Sequence, residues 1–255
     1  MSSSPTPPVT ATPSSTGSCT CRELYLPESW TVDRDRCRDA GIPEEIEFAT
    51  KPRLAMAILA RAVDAKIPFA WVTADETYGQ VKYPRVWLEE HDLAYVLATR
   101  RNNDVLAPGH GFGRADELVA ALPARAWRRL SCADGAHGPR RYDWARVPIR
   151  IAWRPGRGHW LLARRSIADP TEIAYYVCSG PRHATLTELA RVAGTRWATE
   201  ECFHQAKTDA GLDHDQARHY RAWYAHITLS MLAHAWLTVA RANAAKGARI
   251  PATVS

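Results

Sequence analysis

A continuous apolar run, Phe69-Ala-Trp-Val-Thr73, constrains the fold more than any other stretch of the chain. Such a run is typical of a strand buried on both faces, as in a sheet covered by helices. Helical patterns lie on either side of it, at 50–63 and 85–91, and a second apolar strand follows at 94–98. Strands and helices that alternate in this way predict an α/β layer with parallel strand pairs.

The segments before and after this layer have different patterns. Residues 1–20 are almost wholly Ser, Thr, Pro and small residues, which predicts a disordered leader because little apolar surface is available for burial. Two short strands are predicted next, at 23–26 and 47–49. Further on, three alternating runs joined by Pro/Gly turns, within 142–177, predict a small antiparallel sheet inserted into the α/β domain.

Two long helices are predicted at the end of the chain, from Thr187 to about Ala210 and from Asp215 to about Lys246. The first of them has a clear start, because Thr185-Leu-Thr-Glu188 has the Thr-x-x-Glu form of a capping box and an apolar-periodic run follows it.

Net charge and cysteine usage indicate the kind of partner and the cellular compartment. The chain has 33 Lys and Arg against 27 Asp and Glu, a net charge of +6 that favours a polyanionic partner. Its six cysteines are scattered, and the single Cys19-x-Cys21 pair is a poor zinc signal, which indicates thiols in a reducing compartment. No apolar run is long enough for a membrane span and no signal peptide is apparent, so we expect a cytoplasmic protein that does not enter a membrane.

One stripe of the first C-terminal helix carries a carboxylate between two cations. Arg196, Glu200 and Lys207 are separated by four and seven positions, so they project within a wedge of roughly 60°. A solvated i,i+4 ion pair, worth a few tenths of a kcal/mol, would explain part of this pattern without any function. Arg and Lys beside a Glu are also what chemistry on a phosphate backbone requires.

A second carboxylate, Asp75, closes the apolar strand. The carboxyl end of a strand in a parallel sheet is where ligands of α/β folds bind, although Asp also commonly caps the turn after a strand. Together, Asp75 and Glu200 would suit hard divalent cations such as Mg²⁺ or Mn²⁺, and two such ions would support phosphodiester displacement. We therefore expect these two acids to lie close together, with Arg196 and Lys207 facing the same crevice.

These residues resemble the transposases of bacterial insertion sequences that carry a DDE triad on a ribonuclease-H-like fold. Trp71-Val-Thr-Ala-Asp-Glu-Thr-Tyr-Gly79 is similar to the family's segment around the second acid. Arg196-x3-Glu200-x6-Lys207 is similar to the Y-R-E-K signature around the third. Arg22–Pro27 and Gly138–Trp144 also look like family segments, and the similarity covers about residues 22–245.

The resemblance implies a ribonuclease-H-like mixed sheet with flanking helices, a β-rich insertion and a C-terminal helical pair. The corresponding ranges are a leader (1–20), the first part of the catalytic domain (21–101), the insertion (102–180) and the completing helices (181–248). It also implies two Mg²⁺ or Mn²⁺ ions, double-stranded DNA with terminal inverted repeats, and a homodimer or full-length transposase as protein partner. Trp144, Trp153 and Trp160 lie in the insertion, where a ring would stack on an unpaired base, although core packing is expected for at least two of them.

Two departures from the family pattern stand out. The signature tyrosine would fall at Ala193, and the family's first catalytic Asp would lie upstream of Arg22–Pro27, in the region taken by the acid-free leader. Three functions remain open: a transposase truncated at its N-terminus that has lost catalysis, a catalytically dead remnant that binds DNA or a partner, and an unrelated ribonuclease-H-like nuclease.

Overall fold

The computed structural model describes residues 22–135, 138–149 and 157–247. The predicted leader 1–20 and Trp153 lie outside these residues. The described residues divide into two compact units, one within residues 64–199 and the other made of 22–63 together with 200–247. Each unit is described by itself below.

The helices and strands follow one another along the chain as follows. The helices are α1 (Glu28–Thr31), α2 (Arg34–Asp39), α3 (Lys51–Asp64), α4 (Glu76–Gly79), α5 (Lys82–Glu90), α6 (Ala115–Ala120), α7 (Leu186–Ala210) and α8 (Tyr220–Gly247), with a 3₁₀ turn at Ala124–Ala126. The strands are β1 (Trp71–Ala74), β2 (Ala94–Thr99), β3 (Asp104–Ala107), β4 (Gly111–Arg114), β5 (Arg128–Gly135), β6 (Gly138–Pro148), β7 (Gly158–Arg165) and β8 (Ile173–Gly180).

The unit of residues 64–199 is built on a six-stranded mixed sheet in the order β1-β2-β8-β7-β6-β5, and β3 and β4 form a separate hairpin. β1 and β2 are parallel, as their apolar runs predicted, and α4 and α5 make the crossover between them. The remaining neighbours in the sheet are antiparallel. The mixed α/β architecture with flanking helices, expected of a ribonuclease-H-like domain, is confirmed.

The β-rich segment extends the same sheet. The three predicted runs form β6, β7 and β8 and are antiparallel, as expected. They do not make a small sheet of their own, because β8 pairs with β2 through registers such as Val177 opposite Leu97. β5 was not predicted, because its residues Arg-Arg-Leu-Ser-Cys-Ala-Asp-Gly contain too few apolar side chains to stand out as a strand.

The two short strands predicted at 23–26 and 47–49 are wrong, since neither segment has strand structure. Glu23 instead forms an ion pair with Arg61 of α3, at 2.6 Å, and accepts a hydrogen bond from the Tyr224 hydroxyl of α8, at 3.3 Å. The Arg22 guanidinium lies 5.2 Å from the centre of the Tyr224 ring. These side-chain contacts hold the segment against helices of its own unit, in place of backbone pairing in a sheet.

The main core of the sheet-containing unit lies between the sheet and the first half of α7. Leu189 and Val192 of α7 pack with tryptophans from three strands, Trp71, Trp144 and Trp160. Each of these large aromatic side chains contributes a large apolar area to the core. Across the described residues, no helix is both long enough and apolar enough to cross a membrane.

Candidate functional site

Asp75 lies immediately after β1, where the sequence predicted it. It is half-buried and is the N-cap of α4, with its Oδ1 atom accepting a hydrogen bond from the Thr77 backbone N–H at 2.9 Å. The capping role is therefore real, and it uses one carboxylate oxygen. Burial raises the pKa of the neighbouring Tyr78 phenol, and the negative charge of Asp75 raises it further.

An arginine-rich cleft opens beside Asp75, at the carboxyl end of the second parallel strand. β2 ends at Thr99, and the residues that follow it line a cleft of about 420 Å³ together with residues of α4 and β4. The cleft is lined by Glu76, Arg100, Arg101, Asn102 and Arg114. Because β1 and β2 are parallel, their carboxyl ends meet at the same edge of the sheet. One carboxylate and three guanidinium groups are therefore gathered next to Asp75.

Ion pairs orient two of these arginines. The Arg100 Nε atom donates to Glu76 Oε1 at 2.9 Å, and Gln80 donates to the same oxygen at 3.2 Å. Arg114 donates through Nε and Nη2 to the two carboxylate oxygens of Asp116, at 3.0 and 2.6 Å. A fork-to-carboxylate contact of this kind is the geometry that guanidinium groups also use toward phosphate. Arg100 and Glu76 are both exposed, so their pair is weak enough to rearrange around an anion. The two-point contact with the half-buried Asp116 holds Arg114 more firmly.

The three signature residues lie on a single helix, as predicted. α7 runs unbroken from Leu186 to Ala210, and Arg196, Glu200 and Lys207 are all exposed on it. Its predicted cap is also present, since Thr185 Oγ1 accepts a hydrogen bond from the Glu188 backbone N–H at 3.1 Å.

The two candidate carboxylates fall in different units. Asp75 and Arg196 belong to the unit of residues 64–199, whereas Glu200 and Lys207 belong to the other unit. The approach of Asp75 to Glu200 therefore stays a prediction.

The residues described here do not fit a complete two-metal site. In the described part of the chain, no three His, Cys, Asp or Glu side chains are grouped so that they could hold a metal ion. A two-metal centre for phosphoryl transfer is expected to need three carboxylates, and Asp75 and Glu200 are the two that the signature segments supply.

Burial removes Trp144 from the candidate DNA contacts. The Trp144 ring is 0% exposed in the core, stacked on Tyr176 with 6.2 Å between ring centres. Stacking on a nucleic-acid base requires an exposed ring face. Trp160 is also buried, and Arg146 lies over its ring, so both residues have the packing role expected for at least two of the three tryptophans. Ala193, at the position of the signature tyrosine, is buried in the same core.

A second basic cavity was not foreseen from the sequence. It has a volume of about 640 Å³, lies at the start of α7, and is lined by residues that include Arg128, Arg146, Arg182 and His183. Arg146 is fixed there by donating from Nη1 to the Ala184 carbonyl oxygen at 2.6 Å. These residues come from β5, β6 and the turn after β8, and no local sequence pattern joins them.

Comparison with known families decides what kind of protein has this arrangement. The sequence model of one protein family, described as DDE superfamily endonuclease, matches residues 8–156, more than half of the chain. The chain belongs to the DDE endonuclease superfamily. The matched range of this superfamily member contains Asp75 and the arginines that follow β2. It ends before α7 and therefore does not contain Glu200. No curated protein matches the chain.

Proposed function

We propose that this DDE superfamily member binds double-stranded DNA at the carboxyl ends of β1 and β2. The observation that supports this most strongly is the placement of Arg100, Arg101 and Arg114 around a cleft beside Asp75. Guanidinium groups suit phosphate because they offer several N–H donors in a fixed plane. Superfamily members act on DNA with the help of divalent metal ions, and the basic cleft is where a phosphate backbone would run past the acid.

Within this proposal the individual side chains have distinct roles. Asp75 and Glu200 supply two of the carboxylates of the metal-binding set, for Mg²⁺ or Mn²⁺. Arg196 and Lys207, exposed on α7, hold phosphates on either side of the scissile bond. Their spacing resembles the Y-R-E-K signature of insertion-sequence transposases, which makes terminal inverted repeats the expected DNA substrate.

Asp75 and Glu200 are the two acids whose positions resemble those of the family's catalytic carboxylates, and two carboxylates without a third favour binding without cutting. Residues 1–22 contain no Asp or Glu, and the first acid of the sequence, Glu23, is held in contacts with Arg61 and Tyr224. A missing ligand misplaces both metals, and a small misplacement already costs about a hundredfold in rate. We infer that these residues by themselves make a DNA-binding protein related to transposases, without cleavage activity.

A cleavage assay on end-labelled DNA tests this inference. The full chain is incubated with Mn²⁺ or Mg²⁺ and with duplexes that carry or lack inverted repeats, and no metal-dependent product is expected. Cleavage that Glu200→Ala abolishes would contradict the inference, and Glu201→Ala, an exposed acid next to it, is the matched control. Dependence of such cleavage on inverted repeats would indicate a transposase, and cleavage without that dependence would indicate a nuclease of another kind.

A further inference from the structure

The basic cavity at the start of α7 is separate from the cleft beside Asp75. We call it the α7 cavity; it has a volume of about 640 Å³ and is lined by Arg128, Arg146, Arg182 and His183 together with small and apolar residues. Arg182 follows β8, which is antiparallel to β2. The residues after β8 therefore lie at the opposite end of the strands from the cleft, which is lined by residues that follow β2. The two are different sites within one unit.

The lining of the α7 cavity is positively charged and comes from three parts of the chain. Arg128 is the first residue of β5, Arg146 lies near the end of β6, and Arg182 lies in the turn after β8. Among the described residues that line the cavity there is no Asp or Glu. The cleft differs in this respect, because Glu76 lines it and binds Arg100. Three guanidinium groups gathered without a carboxylate in the lining favour an anionic ligand.

Arg146 is held in place before any ligand binds. Its Nη1 atom donates to the Ala184 carbonyl oxygen at 2.6 Å, and its guanidinium lies 5.0 Å from the centre of the Trp160 ring. A guanidinium has five N–H donors, so this bond leaves others for a ligand. Burial lowers the pKa of Arg146, which means that its positive charge is poorly solvated and that a negative charge beside it would be favourable.

The first turn of α7 adds backbone donors to the same cavity. Ala184, Thr185 and Leu186 line it at the start of this helix of 25 residues. Thr185 accepts the N–H of Glu188 through its side chain and the N–H of Leu189 through its carbonyl oxygen. The N–H groups of the first two helical residues have no acceptor within the helix, and the positive end of the helix dipole favours an anion there.

The lining of the α7 cavity suits phosphate. No Trp, Tyr or Phe is among the described residues that line it, so a base would find no aromatic ring to stack on. Guanidinium forks and first-turn N–H groups, by contrast, match phosphate oxygens. We propose that the α7 cavity binds a phosphate group, supplied either by a small phosphorylated molecule or by a DNA backbone. The proposal does not depend on DNA binding at the cleft, because other residues line the cleft.

Isothermal titration calorimetry of the full chain with inorganic phosphate, at constant ionic strength, tests the proposal. Arg128→Ala should weaken phosphate binding about tenfold or more, the effect of losing one charge-assisted hydrogen bond. Arg182→Ala, in a different segment, should weaken it similarly. Both side chains are exposed, so both variants should keep the wild-type circular dichroism. Arg141→Ala is the matched control, because Arg141 is an exposed arginine of β6 that does not line the cavity.

A titration with a labelled DNA duplex at several salt concentrations distinguishes the two sources of phosphate. If a DNA backbone occupies the α7 cavity, Arg128→Ala lowers the magnitude of the salt slope by about 1, also in a chain that carries Arg100→Ala and Arg101→Ala. If Arg128→Ala weakens phosphate binding and leaves the salt slope unchanged, the source is a small phosphorylated molecule. The proposal is overturned if Arg128→Ala and Arg182→Ala change neither phosphate binding nor the salt slope. That result would leave the function proposed above standing, since the arginines of the cleft are intact in both variants.

Discussion

Replacing Glu89 by alanine should destabilise the fold strongly, because this carboxylate is the centre of a buried polar network. Glu89 lies on α5 and is 0% exposed. Its Oε1 atom accepts a hydrogen bond from the Tyr95 hydroxyl of β2 at 2.7 Å, and its Oε2 atom lies 3.3 Å from Nε2 of His159 on β7. Burial raises the pKa of Tyr95, and the charge of Glu89 raises it further, so the phenol stays protonated and donates. The network ties the crossover helix to two strands.

The expected cost follows from what the substitution leaves behind. A buried hydroxyl without its acceptor costs about 1–3 kcal/mol, and the bond to a charged acceptor is at the upper end of that range. Burial lowers the pKa of the Arg85 guanidinium, and the electrostatic interactions with Tyr95 and Glu89 oppose that lowering. Replacing Glu89 by alanine removes one of these opposing interactions. We expect a loss of about 3 kcal/mol in the free energy of unfolding, a large share of a typical total of about 5–15 kcal/mol.

Urea denaturation followed by tryptophan fluorescence measures this loss, which should move the midpoint by about 1 M or more. Glu90→Ala, an exposed glutamate next to it on α5, is the control and should change the free energy by no more than about 0.5 kcal/mol. A Tyr95→Phe variant completes a double-mutant cycle, in which the two substitutions should cost less together than the sum of their separate costs. Equal stability of Glu89→Ala and Glu90→Ala would refute the reasoning.

Two further substitutions probe packing and acid stability. Gly79→Ala would make a Cβ atom clash with the Ala98 carbonyl oxygen, so we expect it to lower the free energy of unfolding by about 2 kcal/mol in thermal or urea melts. Gly113→Ala, whose Cβ would meet only a leucine side chain at 3.4 Å, should have little effect, and equal losses would refute the clash. The hydrogen bond from Arg129 lowers the pKa of Asp143, so this carboxylate stabilises the fold above its unfolded pKa of about 3.9. Asp143→Asn should therefore be less stable than wild type at neutral pH, and the gap should close as pH falls below about 4; a gap that is constant with pH would refute this.

The parts of the fold that the sequence predicts are those with a strong local pattern. The apolar runs that became β1 and β2 are continuous, and α7 has both a capping box and an apolar stripe. Asp75 was found because the carboxyl end of a parallel strand is where ligands of α/β folds bind, and it also has the structural role of N-cap of α4. Local pattern was sufficient for β2 and α7, because burial on two faces and a satisfied helix start leave little choice of conformation. The burial on both faces that was predicted for the run at 69–73 is wrong, because β1 is an edge strand in which only Trp71 is buried.

The parts that were missed depend on contacts between distant residues. Pairing of β8 with β2 joins residues about 80 positions apart and merges the predicted insertion with the parallel pair. The segment at 23–26 has strand composition, but Glu23 and Arg22 bind side chains of helices. The arginines after β2 could have been found, since the rule that singled out Asp75 applies equally to the next parallel strand. Trp144 was predicted as a DNA contact but is buried, because composition alone does not distinguish an exposed aromatic side chain from a buried one.

The central claim, that DNA binds at the carboxyl ends of β1 and β2, is tested most directly by a salt-dependent binding titration. Fluorescence anisotropy with a labelled duplex is measured between about 50 and 200 mM salt for wild type, for Arg100→Ala/Arg101→Ala and for Arg53→Ala, an exposed arginine of α3. If DNA binds there, the double variant binds more weakly, and the slope of log binding constant against log salt concentration is smaller in magnitude by about 2. This corresponds to about one unit for each phosphate that an arginine no longer neutralises. Arg53→Ala should leave that slope unchanged. A slope that is equal in wild type and the double variant, or wild-type binding that does not change with salt, would contradict the claim.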